Sequence, residues 1–285
     1  MIKVDIILIS YNQDQYIREA VESIFTQKVN DDVRLRLIVA DDCSVDSTLS
    51  IIRSIVPPLL ENSPFVEDVI FLPTNHNLGI NRNYQRAFAA CDGDYIAIME
   101  GDDYWPVNNH IQQHIDFLSV HPECSMSMNC ITYTYVDAPT KVDNWRYKED
   151  YHTYTLQEHI EWGNLLGNLS ACVLRTNDVH QIPKKNFSVY MDDFLLGISM
   201  AEYGYIGVLK NSTSVYRCNE NSLWASMPLF KRFVRGLRHI RLYDKLLDYR
   251  YHSFWMVSKK RFLRTYRHMM CTKLFIALGL NKRRT

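Results

Sequence analysis

The chain has 285 residues, 47 % of them hydrophobic, and a formal net charge of zero. That suffices for one large core, or one core with an appendage. No run of about eighteen apolar residues is present to span a bilayer, no internal repeat or low-complexity segment occurs, and seven scattered cysteines without a CxxC pair exclude a zinc ribbon and a disulfide framework.

The cysteine pattern reads as that of a protein from a reducing compartment. The first ten residues do not read as a signal peptide, because their apolar run is short and broken by Asp5. The zero net charge hides a split. Residues 1–227 hold 16 Lys and Arg against 30 Asp and Glu, whereas residues 228–285 hold 16 Lys and Arg against 2 Asp. An acidic body carries a basic tail.

Ile6–Ile9 is an unbroken apolar run, the mark of a strand buried on both faces. After a polar loop at Tyr11–Gln13, Ile17, Ala20, Val21, Ile24 and Phe25 recur at helical spacing. Leu35–Ala40 reads as a second strand that ends at Asp41-Asp42. Asp46 is placed to cap a helix carrying Leu49, Ile52 and Ile55, which Pro57-Pro58 is expected to close. Val69–Leu72 reads as a third strand. Gly79 precedes a helix with Tyr84, Ala87, Phe88 and Cys91 on one side, and Tyr95–Met99 is a fourth strand. Strict alternation of strand and helix predicts an α/β fold with a mostly parallel sheet and helices on both faces.

In such sheets ligands bind beyond the carboxyl ends of the strands. Three polar clusters fall there: Ser10–Asn12, Asp41–Ser44 and Glu100–Asp103. The last is the most telling, because three carboxylates (Glu100, Asp102 and Asp103) directly follow a buried strand. Such negative charge is costly unless a cation sits beside it. Oxygen-only ligands suit Mg²⁺ or Mn²⁺.

Beyond Trp105 the pattern changes. A helix is expected over about 108–120, strands over 125–135 and 169–174, and a loop or insertion over 136–160. A helix follows over 194–202, with two short strands at 206–209 and 213–216. From Pro228 onward Phe230, Phe233, Val234, Leu237 and Ile240 follow helical spacing with Lys231, Arg232, Arg235, Arg238 and Arg241 between them.

Six motifs in order resemble the family-2 glycosyltransferases of the GT-A fold, over roughly residues 3–225. They are Ser10-Tyr11-Asn12, Asp41-Asp42-Cys43-Ser44 with Asp46, Asn77-Leu78-Gly79, Glu100-Gly101-Asp102-Asp103-Tyr104-Trp105, Asp192-Asp193 before Gly204, and Tyr216-Arg217 followed by Trp224. The resemblance extends to a subgroup with an EGDDYW-type metal motif. It implies a GT-A domain over 1–227, with a nucleotide-sugar-binding half at 1–105 and an acceptor half at 106–227, and the basic helical tail at 228–285. It also implies that Asp42 reads the nucleobase, with Ser10, Tyr11 and Asn12 in the same pocket, and Gly101 is counted with the donor-binding residues. Arg82, in the loop-helix segment before the fourth strand, is placed to meet the diphosphate, with a solvated helix charge as the alternative. Asp102 is then the metal ligand, helped by Glu100 or Asp103, and Asp193 is the catalytic base. Asp192 and Trp224 are weaker acceptor contacts. Two residues depart from the family pattern: Cys43 stands in place of the usual Gly, and Asn219 in place of a frequent His.

The implied reaction is metal-dependent, inverting transfer of a hexosyl or N-acetylhexosaminyl group. The donor would be a nucleoside diphosphate sugar, a UDP-sugar above others. The acceptor would be a hydroxyl of a saccharide or lipid-linked saccharide, in surface polysaccharide or glycolipid assembly. The diphosphate leaves as an anion, so a divalent cation at Asp102 would stabilise the charge that develops. The attacking hydroxyl needs a base such as Asp193, and Asp192 beside it would raise its proton affinity. No second, nucleophilic carboxylate is identifiable for a double displacement. The alternative reading is a catalytically impaired nucleotide-sugar-binding protein of the same fold. A nucleotidyltransferase or a nicotinamide dehydrogenase would need a Gly-rich loop after a strand, and none is present.

His110 and His114, four apart, read as an exposed or half-buried helix face rather than a metal pair. Trp105, Trp162 and Trp224 are candidates to stack on sugars, or ordinary core. The basic tail suits an anionic membrane interface better than nucleic acid. A cytoplasmic enzyme, peripheral on the membrane, is the expectation.

Overall fold

The structure, a computed structural model, describes residues 1–135, 138–188, 192–218 and 227–277. The chain divides into two units: residues 1–156 with 164–218, and residues 157–163 with 219–285.

In the first unit the alternating half forms as its apolar runs require. Strands β1 (Ile2–Ser10), β2 (Val33–Asp41), β3 (Val66–Phe71) and β4 (Tyr95–Glu100) lie parallel in the order β3-β2-β1-β4. Helices α1 (Ile17–Phe25), α2 (Thr48–Asn62) and α3 (Ile80–Ala89) make the crossovers. Ile6, Leu37 and Ala97 on one face and Ile7, Ile38 and Ile98 on the other are sealed from solvent, as strands covered on both faces must be. Asp5 inside β1 is tolerated because Arg36 grips both its oxygens at 2.8 and 2.9 Å.

The sheet continues through β8 (Cys172–Arg175), antiparallel to β4, then β5 (Cys124–Tyr135) and β9 (Tyr205–Cys218), parallel to each other. The short β6 (Lys141–Val142) pairs with β5, and β7 (Tyr151–Tyr154) closes the edge on β9. Helices α4 (His110–Val120), α6 (Thr176–Gln181) and α7 (Asp193–Ala201) complete this unit, and α5 (Leu156–Trp162) belongs to the second but for Leu156. The result is the expected α/β architecture.

Four local expectations need correction. Helix α2 does not stop at Pro57-Pro58 but runs to Asn62. The two prolines leave the carbonyls of Arg53 and Ser54 without amide partners, and both residues are exposed, so water serves instead. The two short strands expected at 206–216 are one strand, whose polar middle is absorbed by register shifts against β5 at Asn129–Ile131. The stretch 136–160 holds β6, β7 and the start of α5. His110 and His114 are completely buried rather than at a surface. His110 stacks on Trp105 at 4.3 Å and reaches Thr213 at 2.8 Å, while His114 meets Ser127 at 2.8 Å and Asn129 at 3.3 Å.

Burial pushes the imidazole of His114 down to about 4 and holds His110 well below the usual range. Both rings are neutral in the folded state at pH 7. A base with a depressed folded-state pKa contributes full stability above its unfolded value near 6.5, and this is lost as pH falls toward 4. For His114 the loss is about 3 kcal/mol, at about 1.4 kcal/mol per unit. Denaturant titrations at pH 7 and 4.5 are expected to show wild type losing about 2 kcal/mol of this relative to a His114→Gln variant. Parallel pH dependence in the two proteins would refute it.

In the second unit, α8 (Leu229–Leu246) and α9 (His252–Ala277) pair through Phe233, whose ring lies 5.9 Å from Phe262 and nearly parallel to it. Residues 157–163, expected in the body, belong to this unit. Arg261 donates to the Glu161 carbonyl at 3.0 Å and covers the Trp162 ring at 4.9 Å. Among the described residues no helix is long and apolar enough to cross a membrane.

Candidate active site

The carboxyl ends of β1, β2 and β4 meet where the strand order reverses, the crevice in which open α/β sheets bind ligands. Two loops are stitched together there. Asn12 donates its backbone N–H to Ser44 Oγ at 3.0 Å and accepts from Val45 N–H at 2.9 Å. Gln13 N–H reaches Thr48 at 2.7 Å, and the Asp46 carboxylate takes the N–H groups of Asp14 and Thr48. Ser10 is buried and its hydroxyl donates to Asp41 at 3.0 Å, so it forms the floor. The ring of Tyr11 is 45 % exposed and is free to meet a ligand.

Cys43 has φ 62°, the left-handed conformation in which glycine is at ease. The turn after Asp42 therefore uses a backbone conformation that a glycine would adopt without strain. Asp42 is buried and accepts the N–H of Leu78 at 2.7 Å and of Gly79 at 2.9 Å, which brings the Asn77-Leu78-Gly79 turn against β2. Gly79 has φ 81° and caps α3. Arg82 lies exposed in the first turn of that helix. The cation that sequence reasoning missed is Arg86, one turn on. It donates to the carbonyl of Asp41 at 2.6 Å and that of Pro73 at 3.0 Å, holding the ends of β2 and β3.

At the end of β4 the three acids part company. Gly101 donates to Ile9 O at 2.9 Å and lies directly on the β1–α1 loop; a Cβ there would fall 2.4 Å from Gln13 Oε1 and 2.9 Å from Ile17 Cδ1. Glu100 is half-buried and accepts from the hydroxyl of Tyr84, itself sealed in α3, at 3.1 Å. Asp103 is sealed and accepts from Asn168 at 2.7 Å, Ser170 at 2.6 Å and the Arg217 N–H at 3.3 Å. Both its oxygens accept hydrogen bonds inside the protein, so Asp103 holds the framework together. Asp102 remains half-buried, its carboxylate turned to none of these partners.

Arg217 was part of a motif but had no assigned role. Its guanidinium donates to the Asp102 carbonyl at 2.6 Å, pairs with Glu19, and lies over Tyr104 at 4.5 Å and Tyr16 at 5.2 Å. It ties the acidic turn to α1. Across the crevice Asp192 caps α7, taking the Leu195 N–H at 2.8 Å, so this carboxylate is used by the helix. Asp193, next to it, is not the cap. Asn164 donates to its Oδ2 at 2.6 Å. Its Oδ1 accepts the Phe194 N–H at 3.0 Å.

Burial, then repulsion from Asp103 and Asp102, raises the Glu100 carboxyl well above its usual range. Burial raises Asp102 and lifts Asp103 to about 7 and Asp193 to about 6, with Asp192 adding to the last. So much negative charge, with the neighbouring guanidinium spent on a main-chain oxygen, suits a divalent cation. Among the described residues no three His, Cys, Asp or Glu side chains form a complete cage. An ion here would be held by Asp102 and Glu100, with phosphate and water filling its other positions, as Mg²⁺ and Mn²⁺ prefer. Trp105 is core, its Nε1 donating to Ser170 O at 2.8 Å. Trp224 and Asn219 lie outside the described residues.

The model of glycosyl transferase family 2 matches residues 5–181. The chain belongs to glycosyl transferase family 2. An uncharacterized protein of Mycobacterium tuberculosis is 28 % identical over 225 residues, 78 % of this chain and 60 % of that protein. The chain therefore spans about 60 % of the length of this relative. The putative teichuronic acid biosynthesis glycosyltransferase TuaG of Bacillus subtilis is 24 % identical, covering 77 % of this chain and 81 % of its own. Among solved structures, S. aureus TarS 1–349 in complex with UDP-GlcNAc superposes with a TM-score of 0.58 at 20 % identity, over 85 % of this chain and 65 % of TarS. The mannosyltransferase PcManGT from Pyrobaculum calidifontis, in complex with GDP-Man and Mn²⁺, gives 0.56 at 14 % identity, over 96 % and 80 %. These two solved structures share the GT-A fold of this chain.

Proposed function

We propose that this family-2 chain transfers a sugar, with inversion, from a nucleoside diphosphate donor to a hydroxyl of a saccharide or lipid-linked acceptor. The observation that carries the reading is Asp193. It lies beside the acidic end of β4, leaves the Leu195 N–H to the cap Asp192, accepts from Asn164 and from the Phe194 N–H at 3.0 Å, and is lifted to about 6. A carboxylate with that proton affinity is ionised at pH 7 yet basic enough to take a proton from an attacking hydroxyl. One such base and direct attack give inversion. The Asn12–Ser44 stitching and the Asp42 turn shape the nucleoside pocket, with Tyr11 and Arg82 on its exposed rim. A UDP-sugar is the favoured donor, because UDP-GlcNAc is bound by the similarly folded TarS and an acceptor such as Asp42 suits a base with an imino proton.

Asp102 and Glu100 would hold Mn²⁺ or Mg²⁺, which when bound neutralises charge on the departing diphosphate. Arg217 keeps the Asp102 turn in place while this happens. A role in surface polysaccharide or glycolipid assembly is consistent with TuaG, whose name assigns it to teichuronic acid biosynthesis. The test is a donor screen that follows nucleotide release with and without Mn²⁺. Release from one UDP-sugar, abolished by chelator, is the expected result. Undiminished turnover in chelator would remove the ion from the reading, and no release from any donor would favour a binding protein that has lost catalysis.

A further inference from the structure

The second unit carries a surface that sugar transfer does not use. Phe233 packs 5.9 Å from Phe262 and 5.5 Å from Tyr266, a Cβ on Gly236 would come within 2.3 Å of Phe262, and Tyr243 lies 6.2 Å from Trp255. These contacts run α8 antiparallel to α9, early residues of one against late residues of the other. Phe233, Gly236, Ile240, Tyr243 and Leu247, at steps of three and four, make the packed face. The opposite face repeats the same steps with Lys231, Val234, Arg238, Arg241 and Lys245, and its four cations are exposed. Phe230, Lys231, Val234 and Arg238 are among the residues lining a groove of about 470 Å³.

On α9, Lys260, Arg264 and Arg267 are exposed, and the helix contains no Asp or Glu. In the tail as a whole Asp244 is buried and paired with His252 at 2.6 Å. Of the large apolar residues left exposed in this unit, Tyr249 lies at the closed turn and Val257 and Leu263 along α9, while Phe230, Met269 and Met270 lie together by register at the open end of the hairpin. Phe230, 66 % exposed, is one turn before Phe233. Met269 and Met270, 39 and 38 % exposed, are one turn after Tyr266. The sequence then continues Leu274-Phe275-Ile276-Ala277-Leu278 before Lys282-Arg283-Arg284.

We infer that the open end of the α8–α9 hairpin docks on a membrane surface bearing anionic lipid. Phe230, Met269 and Met270 enter the boundary between headgroups and acyl chains, and Lys231 and Arg267 meet lipid phosphates. A phosphodiester chain would satisfy the cations but leave the three apolar side chains in water; a charged bilayer takes both. Because no described helix is long and apolar enough to cross, the association lies in the interface. The excess of fourteen positive charges over residues 228–285 supplies attraction over the distance that salt allows.

The full chain is mixed with phosphatidylcholine vesicles, with and without roughly one-third phosphatidylglycerol, and sedimented. At least about tenfold preference for the anionic vesicles is expected, falling steeply with salt. Lys231→Glu with Arg267→Glu, and separately Met269→Asp with Met270→Asp, should each remove most of the bound fraction at unchanged helix content by circular dichroism. Asp193→Asn should dock as wild type does, which keeps this outcome separate from that of the transfer reaction. Equal binding to neutral vesicles, charge variants that bind normally, or tighter binding to duplex RNA than to anionic vesicles at the same ionic strength would overturn the inference.

Discussion

Replacing Asp193 by Asn is expected to lower kcat by about a thousandfold while leaving donor affinity within about twofold. The amide keeps the shape and the Asn164 side of the site but cannot accept a proton from the attacking hydroxyl. The wild-type rate should climb with pH and level off, with its midpoint near the value of about 6 to which burial and then Asp192 lift this carboxyl. The sign follows from the role: a base works only when deprotonated. Asn164→Ala removes a donor that favours the ionised form, so its midpoint should move upward from the wild-type value. If Asp193→Asn retains the wild-type rate, or shows the same pH midpoint, the base lies elsewhere.

The second large effect separates two adjacent carboxylates. Asp103→Ala should strip acceptors from Asn168, Ser170 and the Arg217 N–H, all inside the protein. Leaving buried donors unsatisfied costs about 1–3 kcal/mol each, and part of this is recovered by relaxation, so a loss of about 3 kcal/mol is expected. For a chain of this size that is a fall of roughly 6–12 °C in Tm. Asp102→Ala removes none of these bonds, because Arg217 grips the Asp102 carbonyl rather than its side chain. Its Tm should stay within about 2 °C of wild type, while its transfer activity and its thermal response to Mn²⁺ with nucleotide collapse. Calorimetry on both variants, with and without Mn²⁺ and UDP, decides the matter. Equal Tm losses, or an ion response that survives in Asp102→Ala, would show that the division of labour drawn here is wrong.

That division also marks where sequence reasoning stops. The four parallel strands and their crossovers were legible because Ile6–Ile9, Leu35–Ala40 and Tyr95–Met99 are continuous apolar runs separated by helical spacing. Residues that share a strand end necessarily share a crevice. So Ser10–Asn12, Asp41–Asp42 and Glu100–Asp103 could be brought together without coordinates, and the family motifs named the chemistry. Burial was less legible. His110 and His114 looked like a polar helix face, yet the groups that meet them, Thr213, Ser127 and Asn129, come from two later strands and reach them only in the folded sheet. Pro57-Pro58 looked like a stop, yet exposure of the preceding turn removed the penalty.

The chain alone determined the strand order's raw material, the acidic corner, the candidate base and the charged tail, because these depend on periodicity, composition and adjacency. Only the tertiary structure decided which donors each of two neighbouring acids meets. Asp102 and Asp103, like Asp192 and Asp193, are next to each other in the chain and chemically identical. Their roles are set by donors tens of residues away in sequence, at Asn164, Asn168, Ser170 and Arg217, and a hydrogen bond across that separation exists only once the sheet has closed.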